Sequence, residues 1–391
     1  MAIECDVLVV GAGPAGSSAA RASAEGGAKT IFIDKKKKVG VPVQCAEGIG
    51  EYLFPYLPFK IPKELLVWKI DGISFWAEDI TVERTGSNWS GYAVNRDEFD
   101  KWLANNAIKA GAKLSLETEL IDLEVKGDYN VTKAIVKTPK GNKEIVPKVI
   151  IAADGVDSTV LKLLGFKIQL ERNCGYVLGF EMRNLKLNKS NYEHIFIGNF
   201  APGGYGYIFP KSRTTANVGV GILFPDKKFE EYHEEFLDIP SIKARVGEGV
   251  KMKEKSGWIP FRYLTDKWVY GNTLLVGDIA NQNIKPLVEG FLPAIICGDI
   301  AGKIVAQYLD NTATLEDYPK EVQRKLGSLF RESDVLLEVS YNLLQSKRRE
   351  DILLTLGMNT NIFPYNKIDE LRKEEYASLK SKLINLNQGS S

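Results

Sequence analysis

The stretch "CDVLVVGAGPAG" at residues 5–16 decides the fold that we predict for this chain of 391 residues. The apolar run at 5–10 is typical of a buried parallel strand, and a glycine-rich turn follows it directly. The small residues "SSAARASAEGG" then indicate a helix, and "KTIFID" indicates a second strand that ends at Asp34. Strand, turn, helix, strand and acid in this order are typical of a dinucleotide-binding βαβ unit.

Each glycine of the turn has a physical role in such a unit. Gly11 permits the tight turn, Gly13 lets the backbone approach a pyrophosphate, and Gly16 lets the helix pack closely on the strand. The helix N-terminus offers unpaired N–H groups and the positive end of its dipole to an anion. Asp34 follows at the distance where a carboxylate can accept hydrogen bonds from a ribose.

Composition and charge exclude several classes of function. Lys and Arg total 51 against 50 for Asp and Glu, so no overall field recruits nucleic acid. The four cysteines show no CxxC or CxxH spacing, and neither histidine has a second ligand nearby, so we predict no metal site. Apolar runs are shorter than the roughly 18 residues of a membrane span. We expect a cytoplasmic protein, and any membrane contact should be peripheral, at the cytoplasmic face.

Later segments predict further parts of the nucleotide-binding domain. Asn95 should be the N-cap of a helix with Glu98 completing a capping box, and Arg96 in its first turn indicates an anionic partner unless it is merely solvated. The runs at 148–153 and 272–278 predict strands, and ligands bind at the C-terminal ends of such strands.

A different residue pattern begins at "WKIDGISFWAEDITVER" (68–84) and occurs again between 176 and 224. Alternating aromatic and β-branched residues between glycines and prolines predict antiparallel strands. The predicted fold class is therefore α/β, a Rossmann-like nucleotide-binding domain with an inserted antiparallel β-sheet substrate domain and a helical C-terminal region. The predicted segments are 1–66, 92–171 and 266–311 for nucleotide binding, 67–91 and 172–265 for the sheet, and 312–391 for the helices.

Six motifs together resemble the geranylgeranyl reductase family of flavoproteins, within the larger group built like p-hydroxybenzoate hydroxylase. The resemblance covers roughly residues 5–310, and "PVQCAEG" and "YGYIFPKS" look like the family's PxxCGEG and YxWxFPxG segments. The motifs, in chain order, are "GAGPAG" with Asp34, "PVQCAEG", "GYAVNRDEFDKWL", "AADG", "APGGYGYIFPKS" and "LLVGD".

The resemblance implies FAD as cofactor, with the first glycines and Asp34 on its ADP half. Arg96 and Asp278 would contact the phosphates and ribityl chain, and Cys45 would lie beside the isoalloxazine. A helix starting near Gly290 would face the flavin pyrimidine edge, where its dipole stabilises negative charge. The residues implied to bind FAD are Gly11, Gly13, Ala15, Gly16, Asp34, Cys45, Ala46, Gly48, Arg96, Leu120, Asp278, Gly290 and Phe291.

The implied reaction saturates double bonds of geranylgeranyl chains, such as those of archaeal membrane lipids or their precursors. Hydride from N5 of reduced flavin and a proton would add across an unactivated alkene inside a dry, aromatic-lined tunnel. The candidate catalytic residues are Cys45, Tyr205 and Tyr207. The candidate substrate-lining residues are Trp68, Trp76, Tyr205, Tyr207 and Phe209, although aromatic residues in strands are more often core.

The electron donor and the exact function stay open at this point. The sequence has no second dinucleotide fingerprint, so a ferredoxin-like protein, a transiently bound NAD(P)H or another reductant is expected to supply electrons. A flavin monooxygenase of the same fold and a divergent flavin-binding paralogue with little catalysis are the alternatives. Val288 and Glu289 motivate the second alternative, because the family has glycines there.

Cys45 lies in a polar loop bounded by Pro42 and Gly48, whereas a structural thiol is normally found in an apolar core. We hypothesise that Cys45 packs against the flavin and influences its reactivity or the nearby proton delivery; packing within a tight turn is the alternative. Glu47 is a weaker candidate for the acid that delivers this proton. The run "KKKK" at 35–38 is expected to be solvated, with contact to anionic lipid head groups as the alternative.

Overall fold

A computed structural model describes residues 2–388 of the chain. The strands are β1 (Ile3–Val10), β2 (Thr30–Ile33), β3 (Gly48–Gly50), β4 (Leu66–Ile70), β5 (Gly72–Ala77), β6 (Ile80–Thr85), β7 (Gly91–Val94), β8 (Lys113–Ser115), β9 (Glu119–Lys126) and β10 (Asn130–Thr138). They continue with β11 (Gly141–Ala152), β12 (Cys174–Arg183), β13 (Tyr192–Ile197), β14 (Tyr205–Pro210), β15 (Ala216–Ile222), β16 (Val250–Glu254), β17 (Gly257–Pro260), β18 (Val269–Tyr270) and β19 (Thr273–Leu275).

Helices connect and cover these strands. They are α1 (Pro14–Glu25), α2 (Arg96–Lys109), α3 (Thr159–Leu163), α4 (Leu170–Asn173), α5 (Phe229–Asp238), α6 (Pro240–Val246), α7 (Phe291–Leu309), α8 (Asp317–Leu344), α9 (Arg349–Asn359), α10 (Ile368–Leu371) and α11 (Tyr376–Gln388). Short 3-10 turns lie at Glu51–Tyr56, Lys63–Leu65, Gly277–Ala280 and Tyr365–Lys367.

The first sheet is the predicted nucleotide-binding sheet. Its order is β18-β19-β11-β1-β2-β8, and β9 and β10 continue from β11. The strands β8, β2, β1, β11 and β19 are parallel, with Val7 facing Val149 on one side and Thr30 on the other. Parallel strands put their carboxyl ends at one edge, which gathers the turns that follow β1, β2, β11 and β19. The α/β fold class is confirmed.

The helices α1 and α7 lie in backbone contact beside this sheet. A Cβ added at Gly298 would lie 2.3 Å from the Ala15 carbonyl oxygen, and one at Gly302 would lie 2.4 Å from that of Ala19. Within residues 2–388, α7 is the one helix long and apolar enough to span a membrane, and 78% of its apolar window is buried inside the protein. The helix was predicted to start near Gly290, but its unbroken apolar run in the sequence is short because Asp299 and Lys303 interrupt it.

The second sheet has the order β16-β12-β15-β14-β13-β5-β6, with β17 also paired to β12. It is antiparallel as predicted, except that β13 and β5 are parallel, with Tyr192 facing Gly72. A parallel pair needs a long connection, and more than a hundred residues, which include β8 to β11 of the first sheet, separate these two strands. One face of the sheet packs on α5 and α6, and the other packs on the C-terminal helices.

A small third sheet joins β3, β7 and β4. The predicted boundary between residues 66 and 67 falls inside β4, which pairs with β7 and has no place in the second sheet. The chain after 312 is helical, as predicted. Its α8 begins against the first sheet and runs toward the second, where α9 packs on β5 and α11 on β6.

Candidate active site

A cavity of about 630 Å³ lies between the carboxyl ends of the parallel strands and the inner face of the second sheet. Gly16 is buried and does not line this cavity. A Cβ added at Gly16 would lie 1.9 Å from the Gly11 carbonyl oxygen. The structure thus makes Gly16 a packing residue of the turn. The predicted cofactor residues that line the cavity are Gly11, Gly13, Ala15, Asp34, Cys45, Ala46, Gly48, Arg96, Leu120, Asp278, Gly290 and Phe291.

The nucleotide end of the cavity is built by backbone. Gly11 has φ +103°, and a Cβ there would lie 2.3 Å from the Ala153 carbonyl oxygen, so only glycine fits. At Gly13 an added Cβ would find nothing of residues 2–388 within 4 Å, which leaves room beside the backbone for a ligand. Helix α1 begins there with no acidic residue in its first turn and no side-chain cap from the described residues. These features fit a pyrophosphate.

Two acidic side chains, Asp34 and Asp154, also line this end of the cavity. Asp34 accepts a hydrogen bond from the Ala12 backbone N–H at 3.0 Å, so its carboxylate also fastens the glycine turn to the end of β2. Asp154 accepts backbone N–H groups with one oxygen, while its Oδ1 is buried without a partner in the described part of the chain. A buried, cavity-lining carboxylate oxygen left unpaired suits a hydroxyl of a bound nucleotide. The residues present therefore fit the ADP half of FAD.

Arg96 already has an anionic partner inside the protein. Its guanidinium makes two hydrogen bonds, of 2.9 and 3.0 Å, to the carboxylate of Asp100 one turn further along α2. It also lies 4.0 Å above the ring of Phe291 and interacts with the sulfur of Cys45. Asp100 thus explains a cation in the first turn, and a phosphate contact of Arg96 stays a prediction.

The predicted capping box of α2 is wrong. Asn95 occupies the N-cap position, but its side chain makes no capping hydrogen bond to the described residues. The carboxylate of Glu47 accepts the Arg96 backbone N–H instead, at 2.9 Å. A carboxylate brought from another segment thus satisfies one of the unpaired N–H groups at the start of the helix.

Glu47 is the centre of a buried group that we call the Glu47 ion cluster: Glu47, Glu181, Lys211 and Lys255. The ammonium groups of Lys211 and Lys255 both contact the Glu47 carboxylate and lie 3.2 and 3.4 Å from that of Glu181. Asn217 donates to Glu47 at 3.0 Å. Glu47 is only 1% exposed and has φ +67°.

The ion cluster fixes the charge of Glu47. Burial alone would raise the pKa of this carboxyl, but the ammonium groups of Lys255 and Lys211 outweigh burial and lower the pKa to about 2. Glu47 is therefore a carboxylate at neutral pH and holds no proton to donate. Glu47 is therefore not the acid that the sequence suggested, and it instead anchors the loop at 42–48, which we call the Cys45 loop.

Cys45 is partly exposed and lines the cavity. Its sulfur accepts the Glu47 backbone N–H at 3.2 Å, so the loop turns back on itself around the thiol. This contact supports the packing alternative, and the exposure to the cavity supports the flavin contact. Both features are present in the same side chain.

The three aromatic residues predicted on β14 share one face and line the cavity. Tyr205 donates its hydroxyl to the Leu287 carbonyl oxygen at 2.7 Å. Tyr207 lies flat across the sheet, since a Cβ at Gly179 or Gly219 would meet its hydroxyl at 2.2 or 2.5 Å. That hydroxyl is buried with no hydrogen-bond partner within residues 2–388. Phe209 completes the row.

The two tryptophans predicted to line the tunnel do not reach the cavity. Trp76 packs on Phe196 at the opposite face of the sheet, because successive residues of a strand point to opposite sides and its neighbour Phe75 faces the cavity. Trp68 lies in the third sheet, where its Nε1 donates to the Ser190 carbonyl oxygen at 2.7 Å. Both predictions are wrong for reasons of strand parity and strand pairing.

The segment before α7 has Val288 and Glu289 where the family has glycines, and these side chains line the cavity without blocking it. Val288 lines the cavity with φ +57°, an unusual conformation for a β-branched residue. Glu289 accepts the Gly50 N–H at 2.9 Å and the Tyr52 hydroxyl at 2.8 Å. Burial raises the pKa of Glu289 and these two hydrogen bonds oppose the rise. Gly290 is the N-cap of α7, as predicted.

Sequence reasoning missed two groups of cavity residues. Glu193 on β13 faces the cavity, and the alternation of "YEHIFI" could have revealed a lone acid among apolar residues on that face. The second group comes from the C-terminal helices, whose sequence pattern does not say which surface they cover. It consists of Leu336, Leu337, Ser340, Leu344, Thr355, Met358, Asn359 and Asn361.

Two family models match this chain. A family model described as FAD dependent oxidoreductase matches residues 6–176, the part that builds the nucleotide end of the cavity. The fold and the cavity thus define an FAD-dependent oxidoreductase. A second model, the geranylgeranyl reductase catalytic domain, matches residues 176–257, which include the β14 aromatic row. The chain belongs to the geranylgeranyl reductase family.

Relatives support this assignment over most of the chain. A digeranylgeranylglycerophospholipid reductase of Methanocaldococcus jannaschii is 37% identical over 360 residues, which cover 90% of this chain and 89% of the relative. The protein of that name from Methanococcus aeolicus is 36% identical and covers 82% of each chain. A crystal structure of a geranylgeranyl bacteriochlorophyll reductase-like protein from Thermoplasma acidophilum, 25% identical, superposes with a TM-score of 0.82 and covers 99% of this chain and 100% of that chain.

Proposed function

We propose that this protein is an FAD-dependent reductase that saturates double bonds of geranylgeranyl chains in archaeal membrane lipids or their precursors. One observation carries the proposal: the glycine-built nucleotide end, the Cys45 loop and the aromatic face of β14 all open into the same cavity. The names of the two archaeal relatives supply the class of substrate.

The walls of the cavity suit an isoprenoid chain. Beyond the Cys45 loop the wall is formed by Ile73, Phe75 and Ile195 of the second sheet and by leucines of α8. An apolar, water-poor channel favours burial of a hydrocarbon chain and strengthens electrostatic interactions inside it. Aromatic faces such as that of Phe209 stabilise the positive charge that develops when an unactivated alkene is protonated.

Bound FAD in its reduced form supplies the hydride for the reduction. The protein residues hold and orient the reactants: Cys45 lies at the cavity wall between Arg96 and the Glu47 anchor, and Tyr205 ties β14 to the segment before α7. We assign Cys45 to packing against the flavin ring, and Tyr205 and Tyr207 to shaping the channel around the alkene. Placing the alkene carbons against the hydride donor is a contribution that such a rigid site can make.

The test uses the purified holoenzyme, a chemical reductant for the flavin, and digeranylgeranylglycerophospholipid in mixed micelles. Mass spectrometry should show the lipid gaining pairs of hydrogen atoms, and the Cys45→Ala variant should alter the flavin spectrum and the turnover rate. An unchanged lipid mass contradicts the proposal. Oxygen consumption driven by NAD(P)H with a hydroxylated product would select the monooxygenase instead.

We extend the proposal to location and electron supply. A lipid substrate favours a position at the cytoplasmic membrane face, with the exposed Lys35, Lys37 and Lys38 near anionic head groups. An external donor, such as a ferredoxin-like protein, would deliver the electrons. Sedimentation with anionic liposomes should weaken after charge reversal of Lys37 and Lys38, which are exposed. Equal sedimentation of the two proteins would contradict the membrane contact.

A further inference from the structure

Glu193 presents a carboxyl group to the cavity from an otherwise apolar face. It alternates with Ile195 and Ile197 along β13, and all three side chains line the cavity. Neighbouring strands add Ile73 and Phe209 to the same wall. A carboxyl group in such surroundings loses the hydration that it would have in water, which favours its neutral form.

The Cys45 loop leaves space for this carboxyl group. A Cβ added at Gly48 would lie 2.2 Å from the Glu193 Oε1 and 3.4 Å from the ring of Phe209. The Glu193 carboxyl therefore rests against the backbone of the loop, three residues from Cys45. Any side chain at position 48 would displace it.

No partner in residues 2–388 satisfies Glu193 by a hydrogen bond or an ion pair. The titratable groups that interact with it are Glu289 from the segment before α7 and Tyr205 from β14. Neither of these two groups is a cation. Lys255 also lines the cavity, but it and Lys211 are paired with Glu47 and Glu181. Burial raises the pKa of Glu193 to about 8, and the Glu289 carboxyl adds to the rise.

The two carboxyl groups that flank Gly48 therefore differ in protonation. Glu47 is ionised between two lysines, while Glu193 keeps its proton at neutral pH and faces the reactants. Separation of the pKa values of two nearby acids by their environments is how enzymes divide acid and base roles. Glu289 is not equivalent, because Gly50 and Tyr52 donate to both of its oxygens.

We propose that Glu193 is the general acid of the reduction, the residue that delivers a proton to the alkene. The proposal rests on the proposed function. One alkene carbon receives the hydride supplied by the reduced cofactor, the other receives the Glu193 proton, and both electrons of the new C–H bond to that carbon come from the former π bond. Glu193 is left as a carboxylate and regains its proton from solvent before the next turnover.

The decisive variant is Glu193→Gln, which keeps the shape of the side chain and cannot donate an acidic proton. The measurement is the rate at which the alkene substrate reoxidises chemically reduced holoenzyme in a single turnover without oxygen. The variant should be slower by about 10²- to 10⁴-fold, the usual contribution of a general acid, while substrate KM and FAD binding stay near wild type. Glu193→Asp should restore part of the rate.

The second measurement does not depend on turnover. Infrared titration of the holoenzyme should show a protonated carboxyl that ionises near pH 8 in wild type and is missing in Glu193→Gln. The wild-type single-turnover rate should fall as pH rises through the same range. Glu83→Gln is the matched control, since Glu83 lies on β6 of the same sheet and pairs with Lys189 at the surface.

The outcomes separate the two proposals. A wild-type enzyme that reduces the lipid, beside a Glu193→Gln variant that is equally fast with the same pH profile, overturns the role of Glu193 alone. Loss of the rate in Glu289→Gln but not in Glu193→Gln also overturns it. A wild-type protein that saturates no lipid contradicts the proposed function itself, and the infrared titration then still reports whether Glu193 carries a proton.

Discussion

Residues of the same type are used in opposite ways at this site: a framework set has partners within the protein, and a cavity set has none among the described residues. Glu47, Gly16 and Tyr205 are each engaged with the protein itself, by an ion cluster, a backbone contact or a hydrogen bond. Glu193, Gly13 and Tyr207 are their counterparts, which line the cavity without such partners among residues 2–388.

One chain thus combines a stable fold with a reactive site. A buried group with its partners in place stabilises the structure, whereas a buried group without partners is costly and is retained where it serves a ligand. Each pair can be tested by one matched substitution, which should destabilise the fold on the framework side and impair function on the cavity side.

The largest effect on stability is expected for Glu47→Gln. Removing this charge leaves the ammonium groups of Lys211 and Lys255 buried without their main partner, which should lower the free energy of unfolding by about 3–5 kcal/mol. Urea denaturation measures the loss. Glu193→Gln should lack this loss, and Glu181→Gln should lose less because its carboxylate lies farther from both lysines. Equal losses for Glu47→Gln and Glu193→Gln would contradict the prediction that only Glu47 of these two stabilises the fold.

The same two carboxyl groups should give opposite dependences of stability on pH. The folded pKa of Glu47 is lowered, so its stabilisation is present above the unfolded value of 4.5 and is lost as pH falls toward about 2. The folded pKa of Glu193 is raised, so wild type should lose stability relative to Glu193→Gln as pH rises from 4.5 to about 8. The difference should be on the order of a few kcal/mol, measured as Tm of both proteins across this range; parallel curves would contradict it.

The glycine pair separates folding from cofactor binding. Gly16→Ala places a methyl group 1.9 Å from the Gly11 carbonyl oxygen and should destabilise the protein by about 1–3 kcal/mol. Gly13→Ala meets no described atom within 4 Å, so the apoprotein should change by less than about 0.5 kcal/mol. It should still bind FAD much more weakly, as measured by flavin fluorescence, because the backbone can no longer approach the pyrophosphate. Wild-type FAD affinity in Gly13→Ala would contradict this.

The smallest effect is expected for the two tyrosines. Tyr205→Phe removes the hydrogen bond to the Leu287 carbonyl oxygen and should lower the free energy of unfolding by about 1 kcal/mol. Tyr207→Phe removes a buried hydroxyl that has no described partner, so its stability should stay the same or rise. Thermal unfolding of the two apoproteins tests the order, and a larger loss for Tyr207→Phe would reverse it.

Much of the nucleotide end was predictable from local sequence. The turn glycines, the strand ends at Asp34 and Asp278 and the helix start at Gly290 follow from spacing and backbone conformation, which neighbouring residues control. The substrate end was predicted less well. Alternation in β5 shows that Phe75 and Trp76 face opposite ways, but only the packing of the sheet decides which of them meets the cavity.

The flavin-binding α/β fold and the family follow from the sequence, because ordered motifs encode turns, caps and strands within a few residues. Tertiary structure alone decided the charge of the carboxyl groups. Glu47 meets lysines that lie 164 and 208 residues away along the chain, while Glu193 meets none. Charge state depends on distance in space, and no local pattern around either glutamate contains that distance.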